Sequence, residues 1–577
     1  MNIQKPVIIS QNVLVVMLFC ITAIETERLW GDDILTLSLY IPIAMTVSAT
    51  ILFISKQKIQ ISIADIIVAV WWTAEAIIAY CGLGIITDTA FIEFTKIILL
   101  YISLRLLFCI GKVDEQIIVR CILATCLYQC LLGFMQIVTG TSRHAMFAVT
   151  GTFLNPGIYA AFIAIGITTG ITYLYQVKKE KNRPGHLDII NKNNISALLS
   201  YSTIIAGILL LPATWSRTAV IAVAVTLIII YKEKCAKHIK LLLPAIIFIF
   251  TILYFIKANS ALGRVLIWNI SCNAITDSPI IGHGIGSFST TYGMARTEFF
   301  SESPNSTLLS LADVTYNAFN EILTLGVEQG IVGVTCCLAV LFCVVRSLQK
   351  NSRVLKYPAL TLLTLTLFSY PLHIQANQII LIAIGAWAVT TNSQMALNIP
   401  PKKMLLPELL IMFICIINTK EIITRIRYNK EYQEIAHIEP QYVITDYYNL
   451  QPYCADNPNF IFSFAKGLSA QQRYNDSNAM LRQGLRISND PMFLICMGNN
   501  YHKLKLTKHA EQCYINAHKS LPNRIYPKYK LMKLYEETGN DIMKKKIAED
   551  IMSAEVKIES QATRQMRQEA HTILESL

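Results

Sequence analysis

The sequence predicts an all-α protein, with a polytopic bundle of membrane helices followed by a soluble α-helical repeat domain. The 577 residues are 53% hydrophobic and only 15% charged, whereas soluble globular chains carry roughly 25% charged residues. Apolar stretches of the roughly 20 residues that a bilayer requires follow one another as far as residue 420. Residues 421–577 instead contain 21 Lys and Arg and 18 Asp and Glu. We therefore expect one domain over 1–420 and a second over 421–577.

Hydropathy predicts 12 or 13 membrane spans in the first domain. The first apolar run is followed at once by another, with no small-residue cleavage site between them, so we expect it to be retained as a span. The spans at 218–231, 377–391 and 404–419 are short. The full set is 7–24, 34–55, 61–84, 89–111, 116–138, 158–176, 196–213, 218–231, 241–257, 327–346, 357–372, 377–391 and 404–419.

The positions of the basic residues predict the orientation of these spans. If the N-terminus is cytoplasmic, the inner loops carry 19 Lys and Arg, against Arg28, Arg143 and Arg217 in the short outer loops. Such an excess marks the cytoplasmic side of a membrane protein. An odd number of spans then places the second domain outside. The long polar segment at 258–326 is expected on the same outer side.

Net charge and cysteine usage exclude several functions. The formal charge of +12 lies mostly in the loops of the first domain. No basic run with interleaved aromatic residues is present, so no nucleic-acid partner is expected. The 15 cysteines show no CxxC spacing, and most lie in apolar runs. We therefore expect neither a disulfide framework nor a metal site, and no cofactor.

The second domain contains an internal repeat of small residues and proline. Three positions recur 31 residues further along the chain, and a shared spacing of small residues is typical of stacked helical hairpins. The pattern resembles a pair of tetratricopeptide repeats, with more degenerate helices over 421–456 and 527–577. Such a module normally binds a protein partner and is not a catalyst. The repeated residues are Gly467, Ala479 and Pro491, followed by Gly498, Ala510 and Pro522.

An arginine at the outer end of two spans is the first candidate site residue. Arg217 follows Trp215 and Ser216, and an arginine facing lipid at this depth costs several kcal/mol. It should therefore face a cavity or a partner. The alternative is an arginine whose stem lies along the bilayer while its head reaches the outer headgroups.

The polar segment at 258–326 supplies two further groups of candidates. Its first group opens with Arg264 and Trp268, and continues into the run Asp277 to Gly284, where His283 stands between two glycines. No second ligand lies at metal spacing from His283, which favours a turn residue over a metal ligand.

The second group comprises Tyr316, Asn320 and Glu321, followed by Glu328. Glu321 and Glu328 are seven residues apart and therefore share a helical face. They could bind or activate a hydroxyl group. The alternative is a solvated face of a surface helix.

These motifs, in this order, resemble the O-antigen ligase superfamily, which includes O-antigen polymerases and bacterial protein O-oligosaccharyltransferases. Ser216-Arg217 matches its Ser-Arg before a span, and Arg264 and Trp268 match Arg-x-x-x-Trp. The stretch from Asp277 to Gly284 matches Asp-x-Pro-x-x-Gly-x-Gly. Upstream, the stretch from Gly151 to Pro156, which contains Asn155, resembles the outer loop of the family. The resemblance covers roughly residues 100–390.

The resemblance implies a GT-C-like membrane glycosyltransferase in the bacterial inner membrane, with a periplasmic site and a periplasmic second domain. Its donor would be a glycan carried on undecaprenyl diphosphate, transferred without a metal. Arginine suits such a donor because its planar fork stays charged and donates two hydrogen bonds to phosphate oxygens. The implied catalytic residues are Arg217, Arg264 and Glu321, and the implied substrate-binding residues are Asn155, Trp268, Tyr316, Asn320 and His283.

One departure from the family pattern concerns the catalytic base. The family usually has His-Asn where this chain has Phe319 and Asn320, and a phenyl ring cannot accept a proton. Glu321, Tyr316 or His283 could take over the role, or the reaction could need little base assistance. Loss of activity is the remaining possibility.

The acceptor stays open at the level of the sequence. The lipid A core would make the protein a ligase, a protein hydroxyl would make it an oligosaccharyltransferase, and a second lipid-linked glycan would make it a polymerase. We favour the first two. A transporter of lipid-linked sugar is a further alternative, but the two halves of the bundle show no repeat. A non-catalytic scaffold would leave the two arginines unexplained.

Overall fold

The structure is a computed structural model that describes residues 4–23, 34–55, 59–84, 88–110, 113–144, 146–181, 194–238, 240, 244, 258–302, 308–392, 397–400, 423–424, 426–554, 556 and 559–576. Most of these residues are helical, which confirms the predicted all-α class. The helices up to residue 391 are α1 (Gln4–Ile21), α2 (Ile34–Ser55), α3 (Ile63–Tyr80), α4 (Asp88–Cys109), α5 (Glu115–Thr139), α6 (Pro156–Lys181), α7 (Asn194–Leu210), α8 (Arg217–Ile230), α9 (Lys232–Lys237), α10 (Ala258–Asp277), α11 (Phe288–Glu302), α12 (Glu321–Asn351), α13 (Lys356–Thr366) and α14 (Gln375–Thr391).

Among the described residues, five helices are long and apolar enough to cross a membrane, and three shorter helices are similarly apolar. The chain is therefore a multi-pass membrane protein. The long ones are Ile63–Tyr80, Glu115–Thr139, Pro156–Glu180, Ile195–Thr214 and Glu321–Asn351, and the shorter ones are Ile8–Ile21, Leu37–Ile51 and Arg217–Ile230.

Two predicted spans need correction at their outer ends. The run at 357–372 is apolar throughout, but its helix α13 ends at Thr366, and a 3₁₀ turn follows over Pro371–His373. The residue before a proline is disfavoured in helix, so the chain leaves the helix before Pro371. The run at 327–346 belongs to a longer helix that begins at Glu321. The predicted spans at 241–257 and 404–419 lie outside the described residues.

Helix α6 is the centre of the membrane bundle, packed against α5, α7, α8 and α13. Small residues let these helices approach closely. A Cβ atom added at Gly166 would lie 2.1 Å from the Cys126 sulfur, and one at Gly133 would lie 2.0 Å from the Tyr159 hydroxyl. The bundle therefore holds the outer ends of its helices in fixed relative positions.

Contacts between loops respect the two sides that the charge pattern predicts. On the predicted inner side, a short antiparallel ribbon pairs β1 (Ile59–Ile61) with β2 (Leu397–Ile399). On the same side the Glu115 carboxylate accepts hydrogen bonds from the backbone of Val354 and Leu355, both at 2.9 Å. The loops on the predicted outer side meet one another in the same way, around a cavity. Loops assigned to one side by charge thus contact partners from that side.

The described part of the second domain is a series of helical hairpins. Its first helices begin at Pro458, Met492 and Ile525, 34 and 33 residues apart, which corrects the predicted period of 31. The helices are α15 (Ile444–Cys454), α16 (Pro458–Ala470), α17 (Tyr474–Gly484), α18 (Met492–Lys503), α19 (Thr507–Ser520), α20 (Ile525–Glu537), α21 (Asp541–Ser553) and α22 (Gln561–Ser576).

The two glycines that suggested the repeat occupy different places. A Cβ atom added at Gly498 would lie 2.4 Å from the Tyr514 ring of the following helix, so α18 and α19 meet closely there as expected. Gly467 instead faces Pro440 and Ile444, which precede α16. The glycines are therefore not equivalent, and their 31-residue spacing is shorter than the structural repeat.

Candidate anion-binding site at the outer ends of the helices

A cavity of about 150 Å³ lies where four segments of the first domain meet. These segments are the loop before α6, the start of α8, the first turns of α10, and the connections on either side of α13. All of them belong to the predicted outer side. The lining residues are Phe147, Asn155, Pro156, Gly157, Ile158, Thr214, Trp215, Ser216, Arg217, Thr218, Ser260, Arg264, Phe319, Ser369 and Tyr370.

Three helix N-termini open onto this cavity. Helix α6 begins at Pro156, α8 begins at Arg217, and Ser260 lies in the first turn of α10. Each helix N-terminus carries a partial positive charge of about half an elementary unit and offers backbone N–H groups. The backbone alone therefore makes the cavity favourable for an anion.

The loop before α6 is fixed by side chains of α5. The Gln136 amide donates to the Gly151 carbonyl at 2.7 Å, and its oxygen accepts from the Gly151 N–H at 2.8 Å. Gly151 has a φ of +57°, a conformation that side chains other than glycine rarely adopt. This loop ends at Asn155, whose amide nitrogen donates to the Tyr370 hydroxyl at 2.9 Å. The loop is thereby joined to the segment after α13.

Arg217 is presented by a capped helix start. Trp215 adopts a left-handed conformation with φ of +53° and ends a 3₁₀ turn. Ser216 then caps α8, because its hydroxyl accepts from the Ala219 N–H at 3.4 Å. Arg217 is the first helical residue and lines the cavity. The Ser-Arg motif thus combines a helix cap with a cation directly after it.

Arg264 reaches the same cavity from α10. Its Nη1 donates to the Phe368 carbonyl at 2.8 Å, and its guanidinium lies 5.2 Å from the centre of the Phe319 ring. Burial lowers the pKa of Arg264, and the positive charge of Arg217 lowers it further. Among the described residues that line the cavity, these two arginines are the only ones with charged side chains. An anion between them would relieve both the repulsion and the loss of hydration.

Phe319 takes an unusual backbone conformation in this site. Its φ is +52°, and its ring packs edge-on against the Tyr370 ring with centroids 5.3 Å apart. A bulky residue with positive φ costs about 1–3 kcal/mol and persists where its surroundings fix it. The ring stands between Arg264 and Tyr370, so the position aligned with the family histidine forms an apolar wall of the cavity.

Five of the residues implied by the resemblance lie outside the lining of the cavity. Trp268 donates its indole N–H to the Ala318 carbonyl at 2.9 Å and so supports the segment that carries Phe319. Asn320 caps α12, accepting from the Ile322 N–H at 3.0 Å. The Tyr316 side chain is 60% exposed. These positions give Trp268 and Asn320 supporting contacts with the chain itself.

His283 belongs to a clamp that closes on α12. Its N–H donates to the Val327 carbonyl at 2.9 Å, and its ring Nδ1 lies 3.2 Å from the same oxygen. Helix α12 is interrupted at Gly330, which has a φ of +59°, and the N–H of the following Ile331 donates to the Pro279 carbonyl at 2.9 Å. The Asp277–Gly284 motif therefore satisfies the backbone at the break in α12.

Glu321, at the start of α12, contacts the turn that follows α13. One of its oxygens accepts from the Leu372 N–H at 2.7 Å, and the other lies 3.3 Å from Nδ1 of His373. Desolvation lowers the pKa of His373, but the Glu321 carboxylate outweighs this effect, so the pKa lies above its ordinary value. The His373 ring is 6.1 Å from the ring of Tyr370, which lines the cavity. A carboxylate–imidazole pair thus stands beside the site.

Tyr370 and His373 are site residues that the sequence reasoning missed. Both follow the apolar run of α13, which hydropathy extends to residue 372. Pro371 between them is the signal that could have revealed them, because it predicts a break in the helix. No group of three or more His, Cys, Asp or Glu side chains in the described ranges is placed to hold a metal ion.

The fold and the site define a multi-pass membrane protein whose helices converge on an electropositive pocket for an anion. Residues 202–338 match the model of the O-antigen ligase family. This segment is an O-antigen ligase domain, and it places the chain in a superfamily of membrane glycosyltransferases. The match contains Arg217, Arg264 and Glu321. No curated protein matches the chain.

Proposed function

We propose that the protein transfers a glycan from undecaprenyl diphosphate to an acceptor hydroxyl on the periplasmic side of the bacterial inner membrane. The observation that supports this most strongly is the pairing of Arg217 and Arg264 in one cavity with three helix N-termini. The cavity is smaller than the roughly 300–1,000 Å³ of sites that enclose a whole ligand. Its size suits a diphosphate headgroup, with the glycan and the lipid extending beyond it.

In the proposed reaction the acceptor oxygen attacks the anomeric carbon of the donor glycan. The bond from that carbon to the diphosphate oxygen breaks, and the electron pair leaves with the diphosphate. Donors that are already in place where negative charge develops lower the barrier. The guanidinium groups of Arg217 and Arg264 supply such donors, and the planar fork suits phosphate oxygens.

We assign the acceptor proton to His373, with Glu321 holding the imidazole in position. A base oriented by a carboxylate is an established arrangement for taking a proton from a hydroxyl group. His373 is partly exposed and stands next to Tyr370 at the edge of the cavity. This assignment accommodates Phe319, whose ring cannot accept a proton, and gives Glu321 a role through His373.

The test uses purified protein in lipid nanodiscs with a synthetic glycan on polyprenyl diphosphate. Core lipid A, a protein with exposed serines and a second molecule of donor are offered separately, and the product identifies a ligase, an oligosaccharyltransferase or a polymerase. We expect Arg217→Ala and Arg264→Ala to abolish transfer. Arg482→Ala, on the second domain and outside the cavity, is the matched control. Near-normal transfer by both cavity variants would refute the proposal.

A deletion strain addresses the same question in cells. Gel analysis of lipopolysaccharide and of glycoproteins would show which product is lost. Movement of lipid-linked glycan across proteoliposomes without any transfer would instead indicate a transporter. We further propose that the second domain lies on the periplasmic side, because it contacts the polar segment at 258–326.

A further inference from the structure

The second domain is attached to the polar segment of the first domain through buried polar contacts. Arg296 of α11 is 0% exposed. Its Nε donates to the Ser520 carbonyl at 2.8 Å, and its Nη2 donates to the Ser520 hydroxyl at 2.8 Å. Its Nη1 donates to the Asp313 carbonyl at 2.7 Å. One guanidinium group therefore links the end of α19 to the segment that leads to Phe319.

Two asparagines between the hairpins bind the same segment directly. The Asn489 amide donates to the Ser289 carbonyl at 2.7 Å and to the Thr315 carbonyl at 3.0 Å. The Asn523 amide donates to the Ala312 carbonyl at 2.8 Å. Both side chains are buried, and buried carbonyls need such donors because they cannot reach water.

Packing supports these hydrogen bonds on both sides. Leu521 belongs to one apolar cluster with Leu266, Phe288 and Tyr292 of the polar segment. A Cβ atom added at Gly293 of α11 would lie 2.5 Å from the Asn489 Cβ, so the loop rests directly on the helix backbone. The second domain is thus fitted to this surface and not tethered to it by a linker alone.

The stretch held in this way runs directly into the cavity. Residues 312–315 have no helical structure of their own, and Phe319, four residues after Thr315, lines the cavity beside Arg264. On its other side the stretch is held by Trp268, through the Ala318 carbonyl. The left-handed conformation of Phe319 is costly, so it requires restraint at both ends.

We propose that Asn489 and Asn523 of the second domain are positioning residues for the cavity. They hold residues 312–315, and through them Phe319 and the guanidinium of Arg264 that lies over its ring. The second domain is then a structural part of the transfer site, in addition to any partner it binds. The effect on transfer rests on the proposed function, whereas the effect on residues 312–320 does not.

The experiment compares Asn489→Leu and Asn523→Leu, alone and together, with Asn500→Leu in the full-length protein. Leucine keeps the size of asparagine and removes its donors. Asn500 is the matched control because it is equally buried and donates to Ser477 at 2.8 Å, inside the second domain only. Hydrogen–deuterium exchange of residues 312–320 and the steady-state transfer kinetics are measured for each variant.

We expect faster exchange over 312–320 in the double variant and not in Asn500→Leu. We expect kcat to fall at least about tenfold, because a displacement of about 1 Å at a reacting site costs up to about 100-fold. Unchanged exchange over 312–320 would overturn the proposal, and so would faster exchange with a kcat equal to that of Asn500→Leu. If the wild-type protein transfers nothing, the proposed function fails, and the exchange data still decide whether the second domain holds this segment.

Discussion

Replacement of Arg264 by lysine and by alanine separates the charge of this residue from its geometry. One N–H of Nη1 is used by the Phe368 carbonyl, and the guanidinium plane is backed by the Phe319 ring. The remaining N–H groups can form a two-pronged contact with a diphosphate. Lysine would keep the charge but lose the fork and the planar contact with Phe319.

The size of the effect follows from the hydrogen bonds at stake. Hydrogen bonds to charged groups contribute about 1.5–3 kcal/mol each, so two of them amount to about 3–6 kcal/mol. Because each 1.4 kcal/mol is a factor of ten, Arg264→Ala should lower kcat about 10²–10⁴-fold. Arg264→Lys should lie between, about 10–100-fold below the wild type. The loss falls on kcat because the diphosphate gains charge only as the sugar leaves.

The stability of the same variants should move in the opposite direction. Burial and the charge of Arg217 both lower the pKa of Arg264, so its cation is disfavoured in the empty site. Removing it should leave the melting temperature unchanged or slightly higher. Inorganic pyrophosphate at 100 times its Kd should stabilise the wild type by about 2.7 kcal/mol.

Initial rates at saturating donor and melting curves with and without pyrophosphate provide the measurements. The reasoning is refuted if Arg264→Ala keeps the wild-type kcat, or if pyrophosphate stabilises this variant as much as the wild type. Arg482→Ala again serves as the control for a lost surface cation, and it should match the wild type in both assays.

Three other substitutions test the surroundings of the cavity. The pKa of His373 is raised, so its stabilising pairing is complete below about pH 6.5 and is lost as the pH rises through the raised value; the gap in melting temperature between wild type and His373→Gln should therefore shrink between pH 6 and 9, and a constant gap would contradict the pairing. Gly330→Ala should be far more destabilising than Gly140→Ala, because both have positive φ but only the Gly330 Cβ would meet backbone, 2.4 Å from the Ile280 carbonyl oxygen; equal melting temperatures would argue against the clamp. Tyr370→Phe removes the acceptor of the Asn155 amide and should lower kcat about 2- to 12-fold, the value of one neutral hydrogen bond of about 0.5–1.5 kcal/mol, in an otherwise normally folded protein; an unchanged kcat would show that this bond does not shape the site.

The convergence of the two arginines was accessible from the sequence. Charge asymmetry placed Arg217 and Arg264 on one side of the membrane, and the Ser-Arg and Arg-x-x-x-Trp motifs distinguished them from other basic residues. What hydropathy could not show is where an apolar helix stops. Leu367 and Phe368 extend the apolar pattern of α13 after its backbone has left the helix, so Tyr370 and His373 were hidden inside a predicted span.

The roles of the acidic and histidine candidates depend on contacts between distant segments. Glu321 and Glu328 were correctly placed seven residues apart on one helix, but the partner of Glu321 is His373, 52 residues further along the chain. His283 was interpreted as a turn residue, and its turn closes on the break at Gly330. Neither contact leaves a periodic signal in the sequence, because each joins an irregular loop to a helix end.

The buried Arg296 also determines when the polar segment can reach its final structure during synthesis. Its acceptor Ser520 is 224 residues downstream, and Asn489 is 193 residues downstream. Until those residues have been made and exported, the guanidinium lacks these partners, and an uncompensated buried cation costs about 3–5 kcal/mol. Assembly of the extracytoplasmic half of the molecule is therefore a late event, completed after the ribosome has finished the membrane helices, and a chain stalled before residue 520 would expose an unfinished surface to quality-control proteases.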